Sequence, residues 1–420
     1  MQKTVLASAV ALAALASIPA KADFIEDSKA SVLTRNFYMA QDFREQPVSG
    51  QSRREEWAQG FIGTFESGFT EGTVGFGVDL TGALGLKLDG GRGTGGTGLL
   101  QLDNESKKPQ HSYSDLHAAA KLRYRENVLR VGALPNNQTL FRPNETRLLP
   151  AVFKGSMLTS KEIDNLTLDI GRVERINKRD SSDYEPLAVT TGGRRGIVVN
   201  PGMNASGKYD FINANYQLQP NWLLNVAHGD MDDVYRQTMV NTTHTWKLGE
   251  RRWLKSDLRY ARSVGQRGAL LDNDSYGAMF TYGFGSHSLA AAYQAQSGET
   301  GFAYINGTDP YLVNFVQINA FANRDEKSWQ LKYTYDFSEI GIPGLTFMTR
   351  YISGDNVERA DGREGREWER DMDIAYTIQD GTFKGLNLMW RNASSRGDAE
   401  IGNNNQDENR LIAAYTWKLW

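Results

Sequence analysis

The pattern with the clearest chemical content in this sequence is arginine on alternate residues of extended segments. Arg350 shares a parity with Thr346 and Met348, opposite Phe347 and Tyr351, and Arg391 shares one with Asn387 and Met389, opposite Leu388 and Trp390. Arg123 and Arg130 take the polar side of the two runs around Asn127, and Arg259 does so beside Lys255 and Asp257. A guanidinium keeps its charge at any reachable pH and offers forked donors that match a carboxylate. A series of them at different heights in a wet channel replaces an anion's hydration stepwise and passes it inward. Taken singly, each is explained as well by a salt bridge to a residue such as Glu66, Asp169 or Asp373. The series as a whole favours the anion path.

Catalytic chemistry has less support. The histidines, His111, His117, His228, His244 and His287, lie in no G-x-S-x-G or H-E-x-x-H pattern. Asp115 and His117 share a strand face, but no nucleophile with a local signature accompanies them. The glycine-rich run 90–98 lacks the Gly-Lys-Ser/Thr end of a phosphate loop and reads as a flexible external loop. Asp272-Asn273-Asp274 and the acidic stretch 355–373 complete no EF-hand. The chain has 0 cysteines, so no thiolate metal site or disulfide is available. No metal, no cofactor and no enzyme activity is expected.

The elements that must carry these arginines show a period of two. In 73–89, Val74, Phe76, Val78, Leu80, Leu84, Leu86 and Leu88 share one parity, while Gly75, Gly77, Asp79, Thr81, Lys87 and Asp89 share the other. That is one long strand with an oily and a polar face. The pattern returns in 116–124, 212–218, 276–284, 329–337 and 386–390. Such a chain is all-β, a barrel or a stack of sandwiches.

The N-terminus and the loops decide for a membrane barrel. Lys3, an apolar run over 4–18 and Pro19-Ala20-Lys21-Ala22 read as a signal peptide, residues 1–22, cut after Ala22. The remainder, 23–420, reads as one domain. Removing Lys3 and Lys21 from 47 basic residues leaves 45 against 50 acidic ones, a charge of about −5, which argues against nucleic-acid binding. Short turns near 67–71, 125–127, 161–165, 219–221, 249–251, 285–287, 338–343 and 379–384 alternate with long polar stretches, among them 90–114, 135–150, 177–207, 229–237 and 298–327. This gives about 18 antiparallel strands with both termini on the short-turn side, the organisation of outer-membrane barrels. Trp57, Tyr124, Trp222, Trp246, Tyr282, Trp329, Tyr351, Trp368 and Trp417 fall near strand ends as interfacial girdles.

The residues resemble the OprD family of substrate-specific outer-membrane porins of pseudomonads. The resemblance rests on 31–44, with Arg35-Asn36-Phe37-Tyr38 and Asp42-Phe43-Arg44, and on 66–79. It continues through Arg147-Leu148-Leu149-Pro150, Asn177-Lys178-Arg179-Asp180-Ser181-Ser182 and 309–314. It implies a monomeric barrel narrowed by inward-folded loops, here 135–150, 177–207 and 298–327, with a basic ladder passing small carboxylates. By position the ladder takes Arg44, Arg147, Arg179, Arg350 and Arg391, with Arg175 and Arg410 by strand parity. Tyr184, Tyr304 and Asp309 are candidate partners across the pore.

Two positions fall out of phase. Trp420 does not share the oily parity of Leu411, Ala413, Tyr415, Trp417 and Leu419, which leaves the lipid-facing side of the last strand open. Arg172 sits on the oily parity unless a bulge near Gly171 turns it inward. The expectation is therefore a passive outer-membrane channel for small carboxylates, among them aromatic acids, hydroxy acids and amino acids, contacting membrane lipid and lipopolysaccharide. The competing readings are a general diffusion porin with weak anion preference and a barrel hydrolase.

Overall fold

The computed structural model describes residues 22–44, 50–135, 138–199, 205–359, 361–398 and 405–420. Most of the proposed signal segment, 1–21, lies outside them. Eighteen antiparallel strands form a closed wall. They are β1 (Lys29–Phe43), β2 (Arg53–Glu66), β3 (Val74–Asp89), β4 (Ser112–Tyr124), β5 (Asn127–Ala133), β6 (Val152–Ser160), β7 (Leu166–Asn177), β8 (Tyr209–Gln219) and β9 (Trp222–Met231). The second half comprises β10 (Tyr235–Gly249), β11 (Arg252–Gly265), β12 (Asp272–Phe284), β13 (His287–Ser297), β14 (Lys327–Asp336), β15 (Leu345–Glu358), β16 (Glu364–Thr377), β17 (Asn387–Gly397) and β18 (Gln406–Lys418). Each strand pairs with the next, and β18 closes on β1 with Asn36 opposite Ala413, so the wall has no free edge.

The period-two pattern sets which side of the wall meets lipid. Val74, Phe76, Leu84 and Leu88 of β3 are exposed on the outer face, as are Leu116, Ile170, Ile212, Leu258, Phe280, Leu331 and Leu411 on their strands. Of the expected girdle, Trp57, Tyr124, Trp222, Trp246, Tyr282, Trp329, Tyr351 and Trp417 are exposed, and Trp368 stacks on Tyr351 at 5.8 Å. On β18 the exposed side carries Leu411 and Trp417, while Arg410 is buried on the other, so the lipid-facing parity of the last strand is the odd one. Trp420 follows the strand, and its indole N–H donates to Ser28 Oγ at 2.8 Å.

Two expectations need correction. The expected long connection at 229–237 is only the turn 232–234, because Met231 pairs directly with Tyr235 and Asp233 takes the left-handed φ of 67° that a tight reversal needs. The bulge in β7 falls at Glu174, between Val173, which pairs with Gly155, and Arg175, which pairs with Lys154; Gly171 remains in register. Arg172 therefore stays on the outer face, where it pairs with Asp210 at 2.6 Å.

Candidate functional site: a loop-narrowed lumen with a row of cations

Four loops fold against the inner wall. Segments of loops 134–151 and 298–326 pair as the short strands Arg142–Pro143 and Thr308–Asp309, and Val189 of loop 178–208 bridges to Ile305. Apolar side chains seat them: Phe141 packs edge-on to Phe153 and Phe211, and Phe302, Ile305 and Leu312 join the same core. Loop 298–326 is then drawn across by polar wall residues. Gln237 donates to the Ala303 carbonyl (2.8 Å) and Gln294 to that of Phe321 (2.7 Å), while Glu369 accepts the Ile318 and Asn319 N–H groups (2.8 and 2.7 Å). Gln317 reaches Glu408 on β18 at 2.8 Å. The segment so spans the inner wall from β10 to β18.

The glycine-rich loop is not the external flap its composition suggests. Thr97 N–H donates to Glu56, Leu99 and Leu100 are fully buried, and Arg147 Nε donates to the Thr97 carbonyl at 3.0 Å. Gly98 has φ +80°, and a Cβ there would stand 3.1 Å from Arg179 Nη2. Glycine thus serves close approach to a cation. The readable signal was the apolar pair Leu99-Leu100 after the glycines.

Register places cations in a row down the inner wall. Lys332 of β14 stands opposite Arg350 of β15, Arg350 opposite Asp371 of β16, Asp373 opposite Arg391 of β17, and Arg391 opposite Arg410 of β18. Arg350 and Arg391 each use only Nε on the wall, to Asp371 (2.6 Å) and Asp373 (3.0 Å). Their Nη1 and Nη2 atoms have no hydrogen-bond partner among the described residues. Among the described residues Arg130 meets only Asp79, at 3.8 Å, and Arg179 uses Nη1 on Asn144 at 2.7 Å.

Other arginines are occupied. Arg259 forks onto Asp257 (2.9 and 2.7 Å) under the Tyr311 ring, 3.9 Å from its centre. Arg410 bonds Glu408 (2.6 Å) and the carbonyls of Thr146 (3.5 Å) and Gln317 (3.3 Å), clasping two loops together. Arg147 is buried on loop carbonyls; burial and the nearby Arg410 and Arg179 push its pKa well below the usual arginine range, against Glu408 and Asp309. Burial raises the Asp309 carboxyl, against the pull of Arg179 and Arg142. Tyr184 bonds His117 Nδ1 at 2.7 Å, Tyr304 carries the Arg195 guanidinium on its ring, and Asp309 accepts from Asn144 at 2.6 Å. Arg123 lies over Phe69 of the short turn between β2 and β3.

Arg44 and Arg175 are placed away from this row. Arg44 is exposed and pairs with Asp407, which lies on the lipid-facing parity of β18, so it belongs to the outer rim. Arg175 is exposed because the Glu174 bulge turns its neighbour Ile176 inward instead. Three inner-wall residues escaped the sequence reading as site residues. Lys332 lies beside Arg350, Glu369 holds the crossing loop, and Arg35 donates to the Arg147 and Leu148 carbonyls at 2.5 and 3.3 Å. Arg35 was visible in principle, as a charge in the middle of β1 on the inward parity of Leu33, Phe37 and Met39.

A closed barrel with an apolar outer face, a charged inner wall and loops drawn across its lumen is a membrane channel. A family model described as outer membrane porin, OprD family, matches residues 22–419. The chain is 34% identical to the porin-like protein GalP of Pseudomonas putida over 97% of each chain. The solved OpdQ of Pseudomonas aeruginosa is 48% identical with a TM-score of 0.86, covering 95% of this chain and 100% of that one. OpdK of Pseudomonas aeruginosa, solved with vanillate, is 32% identical with a TM-score of 0.85, covering 94% and 100%. The chain belongs to the OprD family and is an outer-membrane porin of Gram-negative type, whose relatives are channels and not enzymes.

Proposed function

We propose that this porin passes small carboxylates along the row of arginines, with loops 134–151, 178–208 and 298–326 setting size. The observation that carries this is the free outer edge of Arg350 and Arg391: each guanidinium is oriented by a wall carboxylate and keeps two Nη donors for a solute. An arginine fixed in this way recognises a carboxylate at little ordering cost. Binding is weak, since a channel must release what it admits. Vanillate, held by the OpdK structure, is an aromatic acid of the proposed class.

The test is liposome uptake of a labelled aromatic acid and of its neutral amide. Arg391→Ala is expected to slow the acid several-fold more than the amide. Equal slowing of both would sink the anion path. We also propose that export removes residues 1–22; N-terminal sequencing of the mature, heat-modifiable barrel should begin at Asp23, and an uncleaved Met1 start would refute it.

A further inference from the structure

On the outer face, arginines toward the external end are matched by carboxylates: Arg172 with Asp210, Arg236 with Asp230, Arg262 with Asp272 and Asp274. Arg370 of β16 is not. Its Nη2 donates to Asn392 Oδ1 (2.5 Å) and Ser394 Oγ (3.1 Å), and among the described residues Nε and Nη1 have no partner and no carboxylate is within ion-pair reach. Its chain neighbours Glu369 and Asp371 point into the lumen, as strand alternation requires. The guanidinium of Arg366, four residues up the same face, also has no ion-pair partner among the described residues, the nearby Asp398 carboxylate being taken by the Arg366 backbone N–H at 3.0 Å; Arg366 stands about 13 Å higher along the strand.

Arg370 closes one end of an apolar groove of about 550 Å³. The groove follows a register row through Tyr351, Leu331, Ala291 and Phe280 and ends at Leu254. Ala291, small between Leu331 and Phe280, leaves the floor open. Because barrel strands tilt, such a row runs obliquely through the bilayer. Its Arg370 end is mid-strand beneath Trp368, and its Leu254 end lies beside Arg252, where β11 leaves the periplasmic turn. A guanidinium that faces hydrocarbon with neutral acceptors but no counter-charge is unfavourable unless an anion meets it.

We infer that this groove seats an acyl chain of a phosphorylated, acylated saccharide lipid of the outer leaflet, with Arg370 on one phosphate and Arg366 within reach of another. Lipopolysaccharide has this chemistry. A lipid with a single phosphate can satisfy one of the two cations but not both, which is why the commitment is to the saccharide lipid.

The test is native mass spectrometry of the barrel released from nanodiscs of lipopolysaccharide and phosphatidylethanolamine. The wild-type protein is expected to retain one lipopolysaccharide in preference to phosphatidylethanolamine. Arg370→Gln should weaken retention about tenfold, Arg370→Lys should restore most of it, and Ala291→Phe should abolish it by filling the floor. All three should leave single-channel conductance unchanged, because these side chains face outward. Equal retention by every variant, equal retention of phosphatidylethanolamine, or a second barrel in place of lipid would overturn the assignment.

Discussion

Replacing residues 304–320 by a short glycine–serine bridge is expected to raise single-channel conductance several-fold and to erase the preference for an acid over its amide. The excision is geometrically mild, because Phe302 N–H already donates to the Ala322 carbonyl at 3.0 Å, so the cut ends are neighbours. Phe302 and Phe321, both buried, stay to fill the core. What is lost is the stretch that Glu369, Glu408 and Gln330 hold across the wall. Barrels of this strand number are wide unless loops fold in. The deletion also strips Glu369 of its backbone donors, so the widened lumen gains exposed negative charge and repels the solute the arginines attract. Planar-bilayer recording checks both effects. A folded deletion with unchanged conductance would place the constriction in 134–151 instead.

Strands were readable because each needs only local information: a period of two over 73–89 fixes an oily and a wet face wherever the strand sits in the wall. The same locality explains why Arg350 and Arg391 could be placed on the inner face, and why Arg175 could not. Its parity depends on a one-residue bulge at Glu174 that arises from pairing with Lys154 and Gly155 on another strand. Arg44 failed for a related reason, since its partner Asp407 lies at the far end of the chain and meets it only when β18 closes on β1. Loop function was least legible. Composition marked 90–98 as flexible, yet Glu56, Arg147 and Arg179 pack against it, and none of these contacts leaves a local signature. Arg410 and Arg147 were identified by residue type, but type does not distinguish a guanidinium that binds solute from one that clasps loop carbonyls.

That distinction predicts unlike outcomes for two arginines that look alike in sequence. Asp371 is fully buried and Arg350 is its ion-pair partner, whereas Asp373 and Arg391 keep side-chain exposures of 16% and 21%, enough for lumen water to reach them. Arg350 is itself 16% exposed, but its removal leaves the fully buried Asp371 carboxylate without its counter-charge, at a cost of up to about 3–5 kcal/mol. Arg350→Ala should therefore lower the temperature at which the heat-modifiable barrel unfolds, while Arg391→Ala should barely move it. The double variant Arg350→Ala with Asp371→Asn removes both charges and should recover most of the lost stability. Because it still lacks the Nη donors, it should remain slow for the acid and normal for the amide, which separates the structural role of this arginine from its role in transport. Were the double variant to regain acid uptake along with stability, Arg350 would be a salt-bridged filler of the wall, and the anion path would have to run through Arg391 and the loop arginines alone.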